Sequence, residues 1–533
     1  MAGIVAACSA KSDDAAPAGS SQPGSPTPAG SAANAATTYP LKSDKTLTYW
    51  APLNPNLNNV KASYNDVPFY QEWPKRVGVG LKYTNPAVGQ QNEAFNVMLA
   101  SGELPDMMEW DWRVFPGGPE KAINDGYILK LNDLIDKHAP NLKKYLKEHP
   151  EVDKQVKTDS GAYYAFPFIR GDASLQVYHG PLFRKDWLDE LGLKTPETID
   201  EWYTVLKTFK EKKNAAAPLS FTLVANGQTT YLNTGSLVGA YGTIPTFYVD
   251  NGQVKFGALE PAYKEFLTTM RKWYAEGLID KNIATLDAKA LDANLTGGAT
   301  GATFGNAGGG LGRWLPLMKE KDAKADLVAA PYPVLKKGDK PKFGQKDFAY
   351  SSPASVAISA KSKEAELAVK LLDYGYGEEG HMFFNFGTEG VSYKLENGYP
   401  KYTDLIMKNP DKLAPAQTIS LYARSNYNGP FVQDKRYIEQ YNQLQQQKDA
   451  IAIWQTDVEK YALPPITPTQ QESAEYATIM NDVNTLVAEM TLKIILGTEP
   501  VDSFDKYVAK LKSLKIDRAI DIQKAALERY NKR

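Results

Sequence analysis

The chain has 533 residues, with 61 Lys and Arg against 62 Asp and Glu, a net charge of −1 and a single cysteine, Cys8. Single cores stop growing at roughly 250 to 300 residues, so at least two lobes are expected. The charge balance supplies no field to attract nucleic acid or an anionic membrane, and one cysteine excludes both a disulfide framework and a cysteine metal cage within the chain.

At the start of the chain, Val5, Ala6, Ala7 and Cys8 in MAGIVAACSAKSDD resemble a bacterial lipobox, whose cysteine becomes the lipidated first residue. A full signal peptide needs a basic segment and an apolar core of roughly 7 to 15 residues, so residues 1–8 read as the remnant of a longer leader. Ala, Ser, Pro, Gly and Thr fill 26 of the 32 positions from 9 to 40. Such a stretch buries too little apolar area to order itself, and 9–44 is expected to be a disordered tether with a mean reach of roughly 30 Å. No later apolar run approaches the roughly 20 residues that span a bilayer, which leaves a lipid on Cys8 as the expected anchor at the extracellular face of the membrane.

From Lys45 the pattern is globular. TLTYW at 46–50 reads as a strand that ends in the Pro- and Asn-rich loop PLNPNLNN, and a helix is expected next. VGLKY at 79–83 follows as a strand, QNEAFNVMLASGE as a helix stopped by Gly102, and LPDMMEW as a third strand. Strands separated by helices predict an α/β fold with a parallel sheet, whose ligands bind in loops beyond the carboxyl ends of the strands. Trp50 and the run EWDW at 109–112 fall at such ends. Further on, GAYYAFPFIRG at 161–171 reads as an aromatic strand, and TPETIDEWYTVLKTFKEKK as a helix capped by Thr195 or Thr198. Asn251 and Gly252 predict a hairpin within FYVDNGQVKFG, Pro261 starts a helix that Gly277 stops, SPASVAISA is a strand, and a helix begins near Glu364. The last hundred residues are mostly helical in pattern.

The sequence narrows the chemistry. His138, His149, His179 and His381 are not paired at metal-ligand spacing, no G-x-S-x-G elbow occurs, and the glycines at 297–312 match no phosphate-loop pattern. No metal and no cofactor is expected. Glycoside hydrolysis needs only two carboxyl groups beside aromatic subsites, and Glu103, Asp106, Glu109 and Asp111 could supply them. Binding fits better. A pyranose stacks its C–H faces on aromatic rings while its hydroxyls bond to polar side chains, and Trp50, Asn54, Glu109, Trp110, Asp111, Trp112, Arg170, Tyr241, Trp314 and Arg424 are the substrate-binding candidates. Trp73, Trp187, Trp202 and Trp273 lie on helical apolar stripes and are expected in the core. Trp110 and Trp112 point the same way only if strand geometry persists through them; if the loop turns, one packs beneath the other. Arg113, Arg170 and Arg424 could each clamp a uronate carboxylate or serve neutral hydroxyls.

Several stretches resemble the extracellular solute-binding proteins, family 1, of Gram-positive ABC sugar importers, and the large alginate-oligosaccharide binders among them. They are SGELPDMMEWDW, PGGPEKAINDGYILKLNDLIDKHAPNLKKYL, YHGPLFRKDWLDELGLKTPETIDEWYTVLKTFK, RKWYAEGLID and AELAVKLLDYGYGEEGHMFFNFGTEGVSYKLENGYPKYTD. The resemblance implies an α/β, two-lobed, periplasmic-binding-protein-like fold with a hinge of about three crossings and an interlobe cleft. It implies no catalysis: an oligosaccharide or other sugar is captured and delivered to ABC permease subunits in the membrane. A monomer is expected, with no nucleic-acid partner. Lobe 1 is placed at 45–168 plus 352–415 and lobe 2 at 169–351 plus 416–533. A carbohydrate-active enzyme on the same cleft, or a binder of peptides or other non-sugar solutes, are the alternatives.

Many such proteins carry an acidic calcium loop after the helix that matches TVLKTFK, whereas here the stretch reads KEKKNAAAPLSF, with no acidic residue between Glu211 and Leu219. Micromolar calcium is therefore expected to leave the thermal midpoint unchanged, and a rise of several degrees in a calcium titration would refute this.

Overall fold

The computed structural model describes residues 37–533 apart from 58–59, 88, 224–231, 233–234 and 351–354. Cys8 and residues 9–36 of the expected tether lie outside the described residues. Residues 37–44 do not continue that tether. The Leu41 and Ser43 amides donate to the carbonyls of Val77 and Gly78, and the Tyr39 hydroxyl donates to the Lys370 carbonyl. Apolar contact with the lobe and paired backbone groups outweigh the low-complexity composition just upstream.

The first lobe is built on a four-stranded sheet. Thr46–Trp50 lies between Gly80–Thr84 and Met107–Trp110, parallel to both, and Ser355–Ile358 closes the edge antiparallel to Met107–Trp110. The helices Pro68–Val77 and Gln91–Ser101 supply the crossovers, and Gly102, at φ 70°, ends the second as the sequence predicts. The second lobe differs from the parallel expectation, because His179–Arg184 is antiparallel to both Ala302–Asn306 and Leu327–Ala329. Around this sheet pack Ile199–Lys213, capped by a reciprocal Thr198 and Glu201 box, Pro261–Ala275, and the long helix Gln470–Leu496. Asn251 and Gly252 make the tip of the hairpin Phe247–Asp250 and Gln253–Phe256. Trp73, Trp187, Trp202 and Trp273 are all buried.

Three segments run side by side between the lobes. Of the predicted strand 161–171 only Ile169–Arg170 is regular, since Pro167 has no N–H for a ladder; it pairs in parallel with Val432–Gln433. The Arg170 amide donates to Ala349 of the third segment. The Arg170 side chain ties all three: Nε and Nη2 reach Asp347 Oδ2 at 2.8 and 2.7 Å, and Nη1 donates to Gln433 Oε1 at 3.1 Å. The C-terminus adds a further tie, as Arg529 of the helix Ile516–Asn531 and Arg533 just beyond it both pair with the buried carboxylate of Asp159.

A buried ion pair organises the first lobe. Arg424 Nη2 donates to Glu109 Oε1 at 2.6 Å, with both side chains at most 1% exposed. Tyr49 donates to Glu109 Oε2 at 2.6 Å, its phenol pushed well above the usual range first by burial and then by the Glu109 charge. Burial pulls the Arg424 guanidinium down, but Glu109 together with the surrounding phenols of Tyr70, Tyr64 and Tyr49 more than offsets it. The guanidinium also lies over the rings of Tyr70 and Tyr427 at 5.5 and 5.9 Å. A Cβ at Gly429, whose φ is +148°, would sit 2.8 Å from the guanidinium carbon, so the chain passes the arginine only as glycine. Glu109 and Arg424, candidates for a ligand surface, are thereby structural, because each is the other's counter-ion away from water. The pair also draws Leu421, Arg424, Phe431 and Val432, which the sequence reading assigned to lobe 2, into contact with the first core.

Removing one partner strands the other charge in the interior. Arg424→Met alone is expected to lower the unfolding free energy by about 3 to 5 kcal/mol in urea titrations, and Glu109→Gln combined with it to recover part of that loss.

Candidate ligand-binding cleft

A cavity of about 470 Å³ opens beside the crossing segments and is lined from both lobes. The first lobe contributes Asn56 from the loop after Thr46–Trp50, together with the run Asn426, Tyr427 and Asn428. The crossing segments add Arg170, Asp347 and Gln433, and the second lobe adds Asn306, Gly308, Tyr441 and Asn442, with Tyr178 and Tyr437 completing the wall. Phenol rings offer flat apolar faces, and carboxamides both donate and accept.

Each wall is held by its surroundings. Asn54 is buried; its Nδ2 donates to Ser420 at 2.9 Å and its Oδ1 accepts from the Asn56 amide at 3.0 Å, which fixes the loop that presents Asn56. Asn426 Nδ2 donates to the Ala416 carbonyl and the Tyr427 amide donates to Arg424, so the 426–428 run hangs from the helix Pro415–Tyr422 and the buried arginine. The predicted glycine cluster turns after Ala302–Asn306 through a single wide turn, Ala307–Leu311, into the helix Gly312–Lys321. A Cβ at Gly308 would clash with the Tyr441 ring, so glycine there lets Tyr441 reach the cavity. Tyr437 and Tyr441 lie nearly parallel with centroids 6.2 Å apart, and the Arg170 guanidinium covers Tyr178 at 5.1 Å. Burial pushes the phenols of Tyr178, Tyr427 and Tyr441 up to about 12, so these hydroxyls stay uncharged. Behind Asn306, His179 Nδ1 lies 2.9 Å from the carboxamide Oδ1, and burial holds this imidazole down at about 4.

A second cavity, of about 830 Å³, separates the loop 113–118 of the first lobe from Thr246, Phe247 and the Ser473, Tyr476 and Asn481 face of the long helix. A third, of about 280 Å³, lies on the other side of Arg170 and Asp347 and also meets His149, Lys346 and Glu459.

Among the residues singled out from the sequence, Arg170 lines the 470 Å³ cavity. The aromatic candidates at the first sheet do come together, but mainly on each other. Trp110 is half-buried and stacks on Phe95 at 4.4 Å, while Trp50 meets both rings and is itself buried. The strand ends at Trp110 and a turn follows in which the Val114 amide bonds to Asp111, so the period-two geometry stops; Trp112 drops into the core at 1% exposure. Asp111 holds Arg113 through two bonds of 3.0 Å. Tyr241 and Trp314 stand elsewhere in the second lobe. Tyr241 donates to Thr269 on the helix it packs against, and the buried Trp314 indole donates to Asp292 at 2.6 Å. Of the four carboxylates considered for acid and base work, Asp106 accepts from Thr48 and Ser362, Asp111 and Glu109 face arginines, and Glu103 is exposed. Sequence pattern does not single out the tyrosines and asparagines of the cavity. The run SNYNGP at 425–430 has the same aromatic and amide composition as the loops after Trp50 and Trp110, without a strand end to mark it.

Comparison with known proteins agrees with this architecture. The profile of the bacterial extracellular solute-binding proteins matches residues 31–382. The fructooligosaccharide ABC transporter substrate-binding protein FusA of Streptococcus pneumoniae is 26% identical over 92% of each chain. Lipoprotein LipO of Bacillus subtilis is 25% identical over 83% of this chain and 85% of its own. Among solved structures, the alginate-binding protein AlgQ2 without calcium ion superposes with a TM-score of 0.75 at 28% identity, over 92% of this chain and all of the other.

His179 gives the stability a pH dependence. An unfolded histidine takes up a proton near 6.5 and the buried one only near 4, so between these values the unfolded chain binds more protons and stability falls as pH is lowered. Urea titrations from pH 7 to pH 4 are expected to show a loss of about 3 kcal/mol that a His179→Gln variant lacks.

Proposed function

The chain belongs to the bacterial extracellular solute-binding protein family, and we propose that it is the capture component of an ABC importer for a carbohydrate, an oligosaccharide held between its two lobes. The observation that carries this reading is the cavity beside the crossing segments, where tyrosine faces and carboxamides converge from both lobes. Relatives support it: the names of FusA and AlgQ2 specify fructooligosaccharide and alginate. The family is one of substrate-binding proteins and not of enzymes, in keeping with carboxylates that serve as structural acceptors.

Binding couples to motion through the crossing segments. A ligand that touches Asn56 and Tyr427 on one side and Asn306 and Tyr441 on the other favours the closed arrangement because only there are both sets engaged. Trp110, half-buried at the first-lobe wall, and Arg170 remain ligand-facing in this proposal, while Asn54, Glu109 and Arg424 position the loops. Lipidation at Cys8, delivery to membrane permease subunits and a monomeric state complete the proposal, with lobes divided at 45–168 plus 352–415 against the remainder except for 416–433, which packs on the first lobe. Residues 416–433 then form the stretch through which the chain returns along the first lobe. No described helix is long and apolar enough to cross a membrane.

A thermal-shift panel of oligosaccharides is expected to stabilise the protein with particular members, and no shift for any glycan would count strongly against capture. Tyr427→Ala and Tyr441→Ala are each expected to weaken binding of a responding glycan by about 2 kcal/mol, read by titration calorimetry, with the fold unchanged.

A further inference from the structure

We propose that the captured glycan is uncharged, an inference that rests on the capture function and narrows it to neutral oligosaccharides. Of the side chains lining the 470 Å³ cavity, Arg170 and Asp347 are the charged ones, and they are held against each other at 2.7 and 2.8 Å, with the third guanidinium nitrogen bonded to Gln433. In the larger cavity the cation is Arg113, closed by two bonds to Asp111, and the other charged lining group is Asp482, which repels anions. The third arginine that could have met an acidic sugar, Arg424, is sealed in the core against Glu109. The undescribed positions between 37 and 533 are Asn, Val, Ala, Gly, Gln, Thr, Tyr, Ser and Pro, so they add no cation.

A uronate carboxylate entering this cleft would shed water without meeting an unpaired cation. To gain Arg170 it would have to displace Asp347, whose side chain is 20% exposed, and leave that carboxylate uncompensated. A neutral sugar incurs neither penalty. Its hydroxyls meet carboxamides and phenols that donate and accept, and its ring faces meet the tyrosines.

The test uses titration calorimetry on the whole protein with matched probes: galacto-, gluco- and mannotetraose, nystose, and the galacturono- and mannurono-tetraoses that differ from their neutral counterparts at C6. The expected result is a neutral member bound at least about 100-fold more tightly than either acidic tetraose, with an affinity that changes less than about twofold between about 20 mM and about 500 mM NaCl. An acidic tetraose bound as tightly as any neutral one overturns the proposal and leaves glycan capture standing. Silence across both series overturns capture itself and this inference with it. In an Asp347→Asn variant that keeps the circular-dichroism spectrum and unfolding cooperativity of the parent, Arg170 loses its counter-ion. Acidic tetraoses should then gain at least about tenfold in affinity with a marked salt dependence, and no gain would overturn the role given to Asp347.

Discussion

A carboxylate and a guanidinium with no access to water organise this molecule. Glu109 sits on the third strand of the first sheet and Arg424 lies more than three hundred residues later, and neither tolerates burial without the other. Once they meet, the stretch from the helix Pro415–Tyr422 to Val432 is bound to the first lobe. The Asn426 to Asn428 run then has to emerge beside the crossing segments, and Val432–Gln433 is delivered to pair with Ile169–Arg170. The cavity wall is a consequence of an interior bond.

The same logic recurs at Arg170. Its guanidinium bonds Asp347 and Gln433, so one side chain stitches the three crossing segments while forming part of the cavity wall. Such a cation is a poor receptor for an anionic ligand because its charge is already committed. Rigid ties of this kind suit a hinge that carries two lobes as bodies, with closure governed by contacts the ligand makes to both. Charge here serves architecture, and the uncommitted polar groups of the cavity wall are phenols and amides.

Local rules carried far along the chain. Thr198 with Glu201, Asn251 with Gly252, Gly102 and Pro261 each act through backbone conformation or capping within a few residues, and the structure realises each of them. The strand and helix alternation of the first lobe was equally legible, because an amphipathic period reports the element that must bury it. The second sheet was not. Whether His179–Arg184 meets its neighbours parallel or antiparallel depends on where the chain returns, and short apolar runs carry no record of that.

The site divides along the same line. A two-lobed α/β solute-binding chain with aromatic, amide-rich loops is legible along the chain, since composition, capping and family motifs are local properties. Long-range packing alone settles that Trp112 drops into the core against Phe95 and Phe115, that Glu109 and Asp111 hold arginines, and that Tyr427 and Tyr441 line the cavity. A tryptophan or a carboxylate reads the same in sequence whether it faces a ligand or a partner side chain. Which of the two it meets is set by residues hundreds of positions away.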